Sequence, residues 1–134
     1  MKMTKTIREF IEEKVTECAE NDAKLIELRE AAGAACNRWN SALEAVQKEF
    51  DIKLAELGAV HGLAYTDYYG NPASPRVGNF RNVDCRYLPE VKAYDEYRAQ
   101  LNNKRDHAIK DIIVSMELGG TKKELMEMIE TLKF

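Results

Sequence analysis

The residues best suited to chemistry lie between positions 65 and 87. Arg76, Arg81 and Arg86 stand there with Phe80 and Tyr87, opposed by one acid, Asp84, while Tyr65, Tyr68 and Tyr69 lie just upstream. Arginine forks match the oxygens of phosphates and carboxylates, and aromatic faces stack on bases or anchor protein interfaces. Arg76, Phe80, Arg81, Arg86 and Tyr87 are therefore the candidate binding residues. With Arg81 on a phosphate and Phe80 on a base, the loop suits a nucleotide, a cyclic dinucleotide or a single strand. With the tyrosines packed together and the arginines paired to acids elsewhere in the chain, it suits a protein partner. The second alternative is favoured, because Arg and aromatic residues are what protein interfaces use as anchors and the segment from Thr4 to Gly58 offers twelve acids against eight bases.

Other chemistries are thinly represented. His61 and His107 are the only histidines, neither stands in a Glu-x-x-His arrangement, and Cys18, Cys36 and Cys85 are widely spaced without a CxxC, so no metal-ligand set is expected. Cys85 and His61 both fall in the irregular region, yet a nucleophile and a base joined across an unplaced loop do not make a motif. Gly70-Asn71-Pro72 lacks the spacing of a phosphate-cradling loop. Glu12 and Glu13 are adjacent on a helix and point apart. These residues predict a non-enzymatic protein with no cofactor.

The elements that position the loop are helices. Leu28, Ala32, Ala35, Trp39, Leu43, Val46, Phe50, Leu54 and Leu57 recur at steps of three or four, predicting one helix from Asn21 to about Gly58, with Gln47, Lys48 and Asp51 on its wet face. Such a helix is roughly 55 Å long, whereas a compact chain of this size has a diameter of roughly 36 Å. The excess predicts a matching antiparallel helix, or cover from another copy of the chain. Before it, Thr4 or Thr6 caps a first helix carrying Ile7, Phe10, Ile11, Val15 and Cys18, with a break at Asn21–Asp22. After it, breakers such as Gly62, Pro72, Pro75 and Gly78 end helical structure, and the alternation of Val83, Cys85 and Tyr87 fits a strand. Pro89 opens a second long helix that stops at Gly119-Gly120, and Thr121 with Glu124 opens a short last one. The fold expected is mainly α: a long antiparallel helical hairpin with short N- and C-terminal helices and a 59–88 loop or small β-hairpin, in a single domain over 1–134.

The 134 residues are 45% hydrophobic and 32% charged, a globular balance, and 20 bases against 23 acids argue against duplex nucleic acid as a partner. Met1 to Phe10 is charged and no apolar run approaches about eighteen residues, so neither a leader nor a membrane span is expected, and the free thiols fit the cytosol. In size, acidity and helix content the chain resembles the small accessory proteins that bacteriophages and mobile elements encode to inhibit host enzymes or sequester signalling nucleotides. The resemblance implies an interaction protein inhibiting a host protein, and the excess helix length implies that it is oligomeric; the alternative is a protein sequestering a nucleotide or cyclic nucleotide through the Arg and aromatic loop.

Overall fold

The computed structural model describes residues 1–78 and 83–134, and these are mainly helical. Four α-helices run in order: α1, Lys5–Glu20; α2, Ala23–His61; α3, Pro89–Glu117; and α4, Lys122–Glu130, with a 3-10 turn at Cys85–Tyr87 before α3. Local chemistry sets the boundaries. Thr4 caps α1 by accepting from the Ile7 N–H at 3.2 Å. The break falls at Asn21–Asp22, where the Asp22 carboxylate accepts from the Leu25 N–H at 3.1 Å and starts α2. Thr121 caps α4 through the Glu124 N–H.

Both long helices end on the same device. Gly62 (φ +66°) lets Leu63 N–H reach back to the Gly58 carbonyl at 2.8 Å, and Gly119 (φ +109°) lets Gly120 N–H reach the Ser115 carbonyl at 3.3 Å. Each bond closes six residues through a left-handed glycine, which satisfies carbonyls the helix leaves open.

The chain divides into two compact units, residues 1–30 with 93–134, and residues 31–92. The first has an apolar core. Ile11 and Val15 of α1, Ile112, Ile113 and Met116 of α3 and Leu125 of α4 are buried together, and Ala19, Leu25 and Leu101 form a second cluster with Tyr94, Tyr97 and Phe134 against it. The second unit is built differently. Its only buried residues, among those described, are Ala32, Ala35 and Gln47.

Two expectations are corrected here. From Val83 onward the expected strand is a 3-10 turn, because the Asp84 carboxylate accepts from the Arg86 N–H at 2.9 Å and Pro89, which has no N–H for a ladder, follows at once. Gln47, assigned to the wet face of the long helix, is only 8% exposed. The one bridge among the described residues joins Thr66 to Pro72, both upstream of that turn.

Candidate functional site

Beyond Gly62 the chain turns back and retraces α2. Leu63 lies on Gly58: a Cβ on Gly58 would collide with the Leu63 carbonyl oxygen. Further on, the Gln47 amide donates to the Pro75 carbonyl at 3.1 Å while its carbonyl accepts from the Val77 N–H. Gly78 (φ +103°) then sits over Leu43, whose Cδ2 would be 2.7 Å from an added Cβ. The contacts descend α2 in order, from 58 to 47 to 43, as the loop advances from 63 to 78. This accounts for the burial of Gln47: it is the polar clamp for the strap backbone at Pro75 and Val77, beyond the Thr66–Pro72 bridge.

The strap carries one sharp turn. The Asp67 carboxylate accepts from the N–H groups of both Tyr69 and Asn71 at 2.9 Å, and Asp67 N–H donates to the Asn71 carbonyl at 2.9 Å. An Asp side chain that occupies its own following backbone groups is a common way of fixing such a turn. Its product is exposure: Tyr68 is 97% and Tyr69 84% accessible, their rings edge-to-face with centroids 5.5 Å apart.

Grooves run between α2 and the strap. One, of about 460 Å³, is lined by Asn40, Leu43, Gln47, Lys48, Asp51, Arg76 and Val77 among others. A second, of about 420 Å³, is lined by Leu54, Gly58, Leu63, Tyr65 and Pro72 with Asp51 and Ser74. The Asp51 carboxyl lies below its ordinary range, held there by a hydrogen bond from Ser74 and then by Gln47, with the Arg76 charge adding. Arg86 Nε stands 3.2 Å from Asp84, whose carboxyl is lowered chiefly by the Arg86 backbone N–H. The Cys85 thiol is pushed up to about 11 by its hydrogen bond with Cys36, by burial and by Asp84.

The candidate residues are thus placed as follows. Arg76 sits at the groove beside Asp51, and Arg86 and exposed Tyr87 lie on the 3-10 turn. Phe80 and Arg81 lie outside the described residues. Cys85, weighed with His61 from the sequence, has Cys36 as its neighbour. Among the described residues no group of three His, Cys, Asp or Glu side chains is placed to hold a metal ion, and no helix is long and apolar enough to cross a membrane.

α2 itself carries a run of exposed apolar side chains. Along its stripe Ala32 and Ala35 are buried and Trp39 and Leu43 half-buried, but Val46 and Phe50 are exposed, Leu57 is 56% and Val60 79% accessible. At about 100° per residue, Val46, Phe50, Lys53, Leu57 and Val60 fall within about 80° of arc, one face away from the side that Gln47 turns to the strap. Lys53 at its middle reaches Glu49 on the same helix at 3.1 Å.

Fold and surface together define a mainly α protein with a glutamine-clamped strap and an uncovered apolar helix face. No family model matches the chain, and no curated protein or solved structure is significantly similar to it.

Proposed function

We propose that the protein is a non-enzymatic interaction protein, working in the cytosol as a homodimer built on the exposed face of α2. The observation that supports this most is the burial gradient along that helix: one continuous apolar stripe is covered at one end and bare at the other. The bare part is symmetric in spacing. Val46 and Val60 lie seven residues either side of 53, and Phe50 and Leu57 mirror each other about nearly the same point. Two copies crossing antiparallel there would set Val46 against Val60 and Phe50 against Leu57, each residue meeting its counterpart twice, as a two-fold interface requires. The same crossing sets Lys53 of each copy against its own counterpart at the two-fold centre, with Glu49 and Glu56 of both copies about a turn away to offset the like charge.

The magnitude is modest. Covering exposed Val46, Phe50, Leu57 and Val60 gains roughly 1 kcal/mol each, on the order of 8 kcal/mol for two copies, against an association cost of about 4–15 kcal/mol. A dimer of micromolar strength, in exchange with monomer, is the expectation. The Tyr68–Tyr69 turn, held by the Asp67 carboxylate, offers a second exposed surface, and aromatic anchors of this kind suit a protein partner, here a host protein of the sort the phage-like resemblance implies. A nucleotide reading has less to draw on, since Arg86 is paired with Asp84 and Arg76 stands beside Asp51.

The test is the molar mass in solution of the wild type and of Leu57→Asp over a concentration series. Leu57 is exposed in the single chain, so an acid there leaves the fold intact. Loss of the dimer with unchanged circular dichroism supports the reading, and a wild type that stays monomeric overturns it.

A further inference from the structure

The order in which the loop retraces α2 continues past the strap. After Leu63 on Gly58, Pro75 and Val77 on Gln47, and Gly78 on Leu43, the next contact down the helix is Cys85 against Cys36, thiol to thiol within hydrogen-bonding reach. Cys36 lies seven residues before Leu43 and Cys85 seven after Gly78, and at about 100° per residue Cys36 falls on the same side of α2 as Gln47 and Leu43. Both sulfurs are reduced and half-buried. Two thiols from points 49 residues apart thus interact directly, and such proximity is what a disulfide first requires.

We propose that Cys36 and Cys85 are a disulfide-forming pair whose oxidation staples the returning segment and the start of α3 to α2. With glutathione disulfide as oxidant, one cysteine thiolate attacks a glutathione sulfur, the glutathione S–S bond breaks, and a mixed disulfide and one glutathione thiolate result. The second cysteine, as thiolate, then attacks the protein sulfur of the mixed disulfide, forming the Cys36–Cys85 bond and expelling the second glutathione. The cysteines lose two electrons and two protons in all, and both appear on the two molecules of reduced glutathione. Cys85, held protonated by Cys36 and by burial, is the slow partner at neutral pH. Cys18 takes no part: its Sγ donates to the Leu132 carbonyl at 3.5 Å, in the other compact unit.

The full-length wild type, equilibrated in glutathione buffers of increasing oxidation, alkylated and digested without reduction, tests this by peptide mass spectrometry. The expected product is a Cys36–Cys85 linked peptide from material that runs as a single chain on a non-reducing gel, with Cys18 alkylated. Cys36→Ser and Cys85→Ser should each abolish it, and Cys18→Ser should leave its yield within twofold. Mixed glutathione adducts without a bridge, a bridge through Cys18, or a Cys36–Cys85 bridge found only between chains would each overturn the proposal. The readout is independent of whether the protein dimerises through α2.

Discussion

Gln47 and Pro75 stand 28 residues apart in the chain and are joined by a 3.1 Å hydrogen bond from the Gln47 side-chain amide to the Pro75 carbonyl. With the Gln47 carbonyl accepting from Val77, one buried amide meets a donor and an acceptor of a strap that has no other ladder partner on α2. Gln47→Leu keeps the volume and removes both strap bonds, together with the 2.8 Å bond to Asp51. Leaving these partly buried groups unpaired is expected to cost about 1–3 kcal/mol. Hydrogen exchange should show the Val77 amide exchanging faster while α1 and α4 keep their protection; unchanged Val77 exchange would mean the strap is held by something else.

The Tyr97 hydroxyl donates to Asp22 at 2.6 Å, beside the break between α1 and α2. That bond, with burial and the Asp22 charge, raises the phenol above its ordinary range. A proton held more tightly in the folded state stabilises it fully below the ordinary tyrosine range of about 10, and the contribution is lost as pH climbs through the raised value. Tyr97→Phe should therefore cost roughly 1 kcal/mol at neutral pH and flatten the alkaline limb of the stability profile. A variant whose profile parallels the wild type above pH ~10 would show that the bond carries none of that dependence.

Core substitutions should separate the two units. Ile11 and Met116 are almost wholly buried, so Ile11→Ala or Met116→Ala is expected to cost roughly 2–5 kcal/mol in a denaturant titration at any protein concentration. Phe50, although on the same sequence stripe as buried Ala35, is 37% exposed. Phe50→Ala should cost less in dilute protein and more as concentration rises, because a dimer adds its own stabilisation by mass action. A cost independent of concentration would place Phe50 in an intramolecular core.

Oxidation of the Cys36–Cys85 pair should depend steeply on pH. With the Cys85 thiol pushed up to about 11, its thiolate fraction grows about tenfold per unit below that value, and the rate of bridge formation should rise with it from neutral to mildly alkaline conditions. Closing a loop of 49 residues should then add about 4 kcal/mol on the chain-entropy account. Stopped reactions across pH give the rate, and denaturant midpoints of the oxidised and reduced forms give the stability. A pH-independent rate would contradict the raised thiol.

The sequence announced what is decided within a few residues. Thr4, Asp22, Pro89, Gly119 and Thr121 bound their helices where their capping chemistry predicts, because a cap is satisfied by its own next turn. What it concealed depends on residues far apart. Gln47 looked solvated because its periodicity matches the polar side of α2, and only the return of residues 75–77 makes that side an interior. Cys85 suggested His61 by shared irregularity, whereas the retracing loop gives it Cys36. The alternation at Val83–Tyr87 carries a strand signal that Asp84 overrides locally by capping a turn. The length of the α2 stripe was legible from the start, whereas its exposure at Val46, Phe50, Leu57 and Val60 was not.

The central claim is that this bare face is covered by a second copy of the chain. Sedimentation velocity on the wild type and on Leu57→Asp, across the micromolar range, tests it most directly. The account predicts a wild-type species of twice the chain mass that dissociates on dilution, and a Leu57→Asp variant that is monomeric throughout with the same helical content. A wild type that sediments as a single chain at every concentration would contradict it.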